Sequence, residues 1–142
     1  MWSVNEELLN DRTSAFIRTN EVCAEAVAHL ANVIAGDRKL QRTAMGPRIE
    51  YLLTCARGGE WGPGGPLPEI VAMNLHALAP VGLVLFRAGA RPCGQLRREV
   101  LRFLNKQPFT GNYFLFLVAA TLGGLGYRVD FIAEENEPGR RT

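Results

Sequence analysis

Apolar residues recur three and four positions apart along most of this chain, and that spacing predicts helices. Ser3 and Glu6 have capping-box spacing, which starts a first helix near Val4. Leu8, Leu9, Ala15 and Phe16 then lie along one side of it, and Asn10, Asp11 and Arg12 along the other. Asn20 is placed to cap a second helix, in which Cys23, Ala26, Val27, Leu30, Val33 and Ile34 form an apolar stripe. Gly36 stands where a helix end takes a residue at positive φ. Residues 37–45 are polar with weak periodicity, a short helix or a loop. Gly46-Pro47 restarts the chain, Pro47 suits a first helical position, and Ile49, Leu52, Leu53 and Ala56 share one face up to Gly58.

Residues 58–68 are a rigid Gly/Pro elbow that carries Trp61. Beyond it, from Pro68 to Phe86, the clearly polar residues are Glu69, Asn74 and His76. A helix that is apolar on every side must be buried on every side, and this run exceeds the length of a typical strand. It therefore reads as a central core helix, which Pro80 and Gly82 should kink or split. A buried strand over 81–86 is the competing reading of its second half. Pro92 opens the next helix, with Cys93, Leu96, Val100, Phe103 and Leu104 on its buried face and Arg97, Arg98, Arg102 and Lys106 on its wet face. Thr110 can cap a last helix, almost continuously apolar over 113–122 and ended by Gly123, Gly124 and Gly126. Tyr127, Val129 and Phe131 alternate with Arg128 and Asp130, which allows a short terminal strand. The fold class expected is all-α, a bundle of about six to eight helices around a central apolar helix. Residues 1–133 form one domain and 134–142 a flexible polar tail.

Composition adds limits more than detail. The chain has 142 residues, enough for one well-buried core, and its net charge of +2 is too small to imply nucleic acid by itself. Cys23, Cys55 and Cys93 are far apart, odd in number and without metal spacing, so buried reduced thiols and an intracellular setting are expected. The polar, acidic stretch from Asn5 to Asp11 argues against a signal peptide. Spanning a membrane takes about 20 mostly apolar residues. In 107–127, Gln107, Pro108, Thr110, Gly111 and Asn112 occupy the first third, so that segment reads as a core helix and not an anchor. No catalytic residue, metal site or cofactor is expected. The glycines of 58–65 lack the Lys-Ser/Thr ending of a phosphate loop, and His29 and His76 have no companion ligands.

The order of elements, with three local motifs, resembles the B-cell-lymphoma (Bcl) family of apoptosis regulators in its small viral form. Leu30-Ala-Asn-Val-Ile-Ala-Gly36-Asp37 is similar to the family's death motif, a Leu followed by Gly-Asp, with a gap longer by two residues. Gly58-Gly-Glu-Trp61-Gly62, before the central helix, looks like its Asn-Trp-Gly-Arg motif, with Glu60 in place of the Asn and Pro63 in place of the Arg. Phe103-Leu-Asn-Lys-Gln followed by Gly111 and Tyr113-Phe114 resembles the segment that closes the family's groove. The resemblance implies a Bcl-like fold and an anti-apoptotic, host-directed viral protein of the cytoplasm and mitochondria that binds death-motif helices of pro-apoptotic proteins. Val27, Leu30 and Ile34 would line one wall of the groove, and Tyr51, Leu52, Trp61 and Gly62 the other. Arg48 or Arg57 would replace the missing Arg as partner for an Asp of the bound helix. Phe131 and Trp2, near the chain ends, are candidates for a homodimer contact.

A different class competes for the second half of the chain. Residues 95–106, an apolar helix and then Tyr127-Arg-Val-Asp-Phe-Ile are similar to the end of helix-turn-helix repressor and antitoxin domains. There Arg97, Arg98 and Arg102 would meet DNA phosphates or base edges. The near-neutral charge and the absence of a suitable preceding helix and turn favour the interaction module.

Overall fold

In a computed structural model, residues 1–15, 18–58, 68–89, 91–105 and 112–133 are described. Their regular structure is helical throughout: α1 (Glu6–Asn10), a 3-10 turn (Arg12–Ala15), α2 (Asn20–Ala35), α3 (Arg38–Gln41), α4 (Gly46–Ala56), α5 (Glu69–Ala88), α6 (Gly94–Asn105) and α7 (Tyr113–Gly124). The all-α bundle around a long apolar helix is as the periodicity predicts. No strand forms among the described residues, so 81–86 is helical, and 127–133 has no regular structure although its burial alternates from 128 to 133. Phe16, the elbow with Trp61, Gly62 and Pro63, the capping Thr110 and the tail 134–142 lie outside the described residues.

Local chemistry sets the helix ends, in several places one or two residues from the expected position. Asn5, not Ser3, caps α1 by accepting the Leu8 N–H at 3.2 Å. Ser3 is engaged elsewhere, its carbonyl accepting from Arg57 Nη1 at 2.8 Å. Thr19 caps α2 through the Val22 N–H, while the Asn20 side chain meets His76 Nε2 at 2.9 Å. Gly36 has φ −95°, so no left-handed residue closes α2; the chain passes directly to Asp37, whose carboxylate caps α3. The true left-handed stop is Gly89, at φ +74°, after α5.

α5 is the centre of the bundle, and α2 is its main partner. The two helices cross very closely: a Cβ on Gly82 would stand 2.1 Å from the Ala26 carbonyl oxygen. The α2 face that makes this crossing is built from small residues, Cys23 and Ala26 beside Val27 and Leu30, all fully buried. Pro80 lies inside α5 without splitting it. It removes one N–H from the ladder, but the turn that contains it is buried among neighbours that hold it helical. On the opposite side α7 packs small residues, Ala119 and Ala120, toward α5. Phe116 joins Phe103 of α6 edge to face at 5.7 Å and meets Phe131 at 5.5 Å.

The remaining elements are tied on by polar bonds. Asp37 receives Arg97 Nε at 2.9 Å and Nη2 at 2.8 Å, a two-pronged pair that fastens α3 to α6. The Met45 N–H bonds the Leu104 carbonyl at 2.9 Å. Glu99, expected on no particular face, is buried, and its Oε1 accepts from Arg102 at 2.9 Å. Cys93, expected buried, is exposed because α6 begins one residue later, whereas Cys23 and Cys55 are buried.

Two outcomes follow for stability. Gly82→Ala forces backbone apart at the α2–α5 crossing and should lower the unfolding free energy by about 3 kcal/mol, measured by denaturant titration with far-UV circular dichroism. The Asp37 carboxyl is held below its ordinary value of 3.8, chiefly by the Arg97 hydrogen bonds. A depressed carboxylate contributes stability above its unfolded pKa and loses it as pH falls through the folded one. Wild type should therefore lose this contribution below about pH 4, and Asp37→Asn should be less stable at pH 7 while showing a shallower acid decline. A variant as stable as wild type at pH 7 would show that the pair does not fasten α3.

Candidate functional site

α5 is not uniformly enclosed. From Leu78 to Leu85 every residue is buried, but over its first two turns only Val71 and Leu75 are. Ile70 is 71% exposed and Met73 64% exposed on the outer side of those turns. The expectation of an all-round buried helix fails there because no other described helix covers that side; α2 crosses α5 farther along, at Gly82.

Beside this open stretch runs the first half of α4. Ile49 and Leu53 point inward, fully or almost fully buried, and that leaves Arg48 and Tyr51, three positions apart, on the outer edge. Tyr51 is 69% exposed. Between the helices lies a hollow of about 460 Å³, lined by Met45, Pro47, Arg48, Tyr51, Leu52, Ile70, Val71 and Asn74. Most of that lining is aliphatic or aromatic. The polar groups are few and stand at the edges: the Arg48 guanidinium and the Asn74 amide, whose Nδ2 donates to the Ile70 carbonyl at 2.7 Å. Arg48 forms no ion pair among the described residues. An apolar trough with a cation on its rim can seat one face of an amphipathic helix and meet an acidic residue on it.

Of the expected groove residues, Trp61 and Gly62 lie outside the described ones, and the others divide four ways. Arg48, Tyr51 and Leu52 come together in this hollow. Val27 and Leu30 do not reach it, being fully buried under α5, and so have no surface to offer a partner. Ile34 borders a separate hollow of about 330 Å³ on the other side of α4, with Ala31, Gln41, Pro47 and Ile49. Arg57 is committed within the chain. It pairs with Glu25 at 2.9 Å, donates to the Ser3 carbonyl and lies 5.8 Å from the centre of the Trp2 ring. Trp2 is further fixed by reciprocal 2.9 Å bonds with the Asn32 amide, so it serves the fold's own packing. Ile70, Met73 and Asn74 were not expected in a groove. The signal for them was the crowding of Glu69, Asn74 and His76, the polar residues of the run, into its first two turns.

Other candidate chemistry resolves into structural roles. Burial pushes the Cys23 thiol up to about 11, far from a reactive thiolate. His29 is held below its ordinary value, first by burial, and stacks edge-on to Phe86 at 5.4 Å. No three His, Cys, Asp or Glu side chains gather as a metal site among the described residues. A larger hollow of about 810 Å³ carries Arg12, Arg87 and Arg128, but Arg87 there closes the last turn of α7 by donating to the Ala120 carbonyl at 2.8 Å. On α6, Arg97 and Arg102 are paired with Asp37 and Glu99, which leaves Arg98 as the member of that trio without a carboxylate partner among the described residues. α5 has the length and apolarity to cross a membrane, but half of its most apolar stretch is buried inside the bundle. α7, at 12 residues, spans only about 18 Å of a hydrocarbon core of about 30 Å.

No protein-family model, curated protein or solved structure matches this chain.

Proposed function

We propose that this protein is a non-enzymatic inhibitor of apoptosis that captures an amphipathic death-motif helix of a pro-apoptotic partner along the α4–α5 hollow. The observation that carries the reading is the joined apolar surface of Tyr51, Ile70 and Met73 beside a trough rimmed by Arg48. Large apolar side chains grouped at the lip of a concave site mark protein interaction surfaces. A partner helix would set its residues at i, i+3 or i+4 and i+7 into the trough, and an acidic residue beside them would meet Arg48. Arg48 thereby takes the role of the Arg replaced by Pro63, since Arg57 is already paired with Glu25. The all-helical bundle around an apolar central helix and the resemblance of the helix order to the Bcl family support the same reading. It implies action inside the host cell, in the cytoplasm and at mitochondria, with no cofactor and no membrane anchor.

Titration calorimetry against a panel of death-motif peptides tests it. At least one peptide should bind at micromolar affinity or tighter, with a negative heat-capacity change. Ile70→Asp should weaken that binding at least about tenfold, or about 1.4 kcal/mol, without lowering the melting temperature, because Ile70 already faces solvent. Arg48→Glu should act most strongly on peptides with an acidic residue next to the apolar face. Silence across the panel, or binding indifferent to Ile70→Asp, would remove the proposal. Salt-dependent DNA binding abolished by Arg98→Ala would establish the repressor-like alternative in its place.

A further inference from the structure

Among the described residues, the outer face of α7 carries the longest run of exposed large apolar side chains. Phe114, Leu115, Val118, Leu122 and Leu125 follow one another at helical spacing, Phe114 being 73% and Val118 55% exposed. α7 contains no charged residue at all. The stripe runs into a hollow of about 470 Å³ whose other walls are segment 129–132 and, from α6, Gln95, Glu99 and Arg102. In that segment Val129 and Phe131 are half-buried, packed against the core, while Arg128, Asp130 and Ile132 face outward. Among the described residues, the backbone of 128–133 makes no hydrogen bond. The segment therefore has the alternation of a strand and lacks the partner that would make it one.

We propose that this face is a homodimer interface, in which segment 127–133 pairs antiparallel with the same segment of a second copy. The charge order selects both the partner and the register. With Val129 opposite Val129 of the second copy, Arg128 stands across from Asp130 and Asp130 across from Arg128, so both cross-strand pairs are attractive. A parallel or shifted pairing loses that match. Residues opposite one another in a strand pair project from the same face of the ribbon. Both copies of Val129 and Phe131 thus point to one side, both helical bodies lie there, and the two α7 stripes come side by side. The exposed charges of the face are of both signs: Arg102 lies over buried Glu99, and Arg128 and Asp130, both largely exposed, are 3.4 Å apart within one copy and free to exchange partners across the interface. That balance suits a self-complementary contact better than an anionic lipid surface, which attracts a polybasic rim. The interface lies on α7 and segment 127–133, apart from the α4–α5 hollow, and does not depend on the function proposed for it.

Sedimentation velocity on the full chain, with flotation on phosphatidylcholine–phosphatidylserine vesicles alongside, decides the matter. Wild type should sediment as a dimer at about 10–100 µM and stay out of the vesicle fraction. Val118→Glu should give a monomer with unchanged circular dichroism and melting temperature. Arg128→Asp and Asp130→Arg should each weaken dimerisation at least about tenfold, and the double exchange Arg128→Asp/Asp130→Arg should restore it, since opposite charges face each other again. A monomeric wild type, a dimer indifferent to Val118→Glu, a double exchange that fails to rescue, or monomers that float with vesicles would each overturn the proposal.

Discussion

The bundle depends on how closely two helices can approach each other. Where α2 crosses α5, the chain places hydrogen atoms, not methyl groups: Gly82 on one helix lies against the backbone at Ala26 on the other. That contact brings Cys23, Val27 and Leu30 onto Leu75, Leu78 and neighbouring residues at interior packing density. It also explains why a proline is tolerated nearby. A helix turn that lacks one N–H is held in shape by the walls around it, so Pro80 sits within one continuous helix. The polar fastenings at Asp37–Arg97 and Met45–Leu104 then settle α3, α4 and α6 around a core whose spacing α2 and α5 have set.

Much of this architecture was legible in the residue pattern. The apolar stripe of α2, the Gly46-Pro47 restart, the central helix after Pro68 and the apolar helix near the end all stand where their periodicity puts them. Boundaries were less legible, because capping is a competition among neighbours. Ser3 and Asn20 are good caps in isolation but are drawn away by Arg57 and His76, and Asn5 and Thr19 take their places. The alternation at Tyr127 to Phe131 allowed a terminal strand, but no strand forms there among the described residues. Hydrophobic alternation records which side chains are buried, whereas a ladder needs a second backbone.

The candidate site was half legible, for a physical reason. A stripe at helical spacing states that one face of a helix meets apolar matter. It does not state whether that matter belongs to the same chain. Val27 and Leu30 on one helix and Ile49 and Leu52 on another are each three positions apart, yet the first pair is sealed by α5 while Leu52 borders an open hollow. Likewise, the long apolar run of residues 68–86 reads as one buried helix, and only the crowding of Glu69, Asn74 and His76 into its first turns separates the bare end from the enclosed one. Arg57 shows the same limit for charge. Its position suggested a free cation, but the N-terminal segment folds back and places Ser3 and Trp2 against it while Glu25 pairs with its charge.

The two halves of α5 therefore carry different obligations on one continuous rod. Residues near Gly82 are locked by their neighbours and leave almost no room for substitution. Ile70 and Met73, about three turns away, are mostly exposed and can be exchanged at slight cost to the fold. Such a helix is a fixed handle with an interchangeable tip. Successive single changes can redraw the surface of the tip without unfolding the rest, whereas the buried half tolerates few.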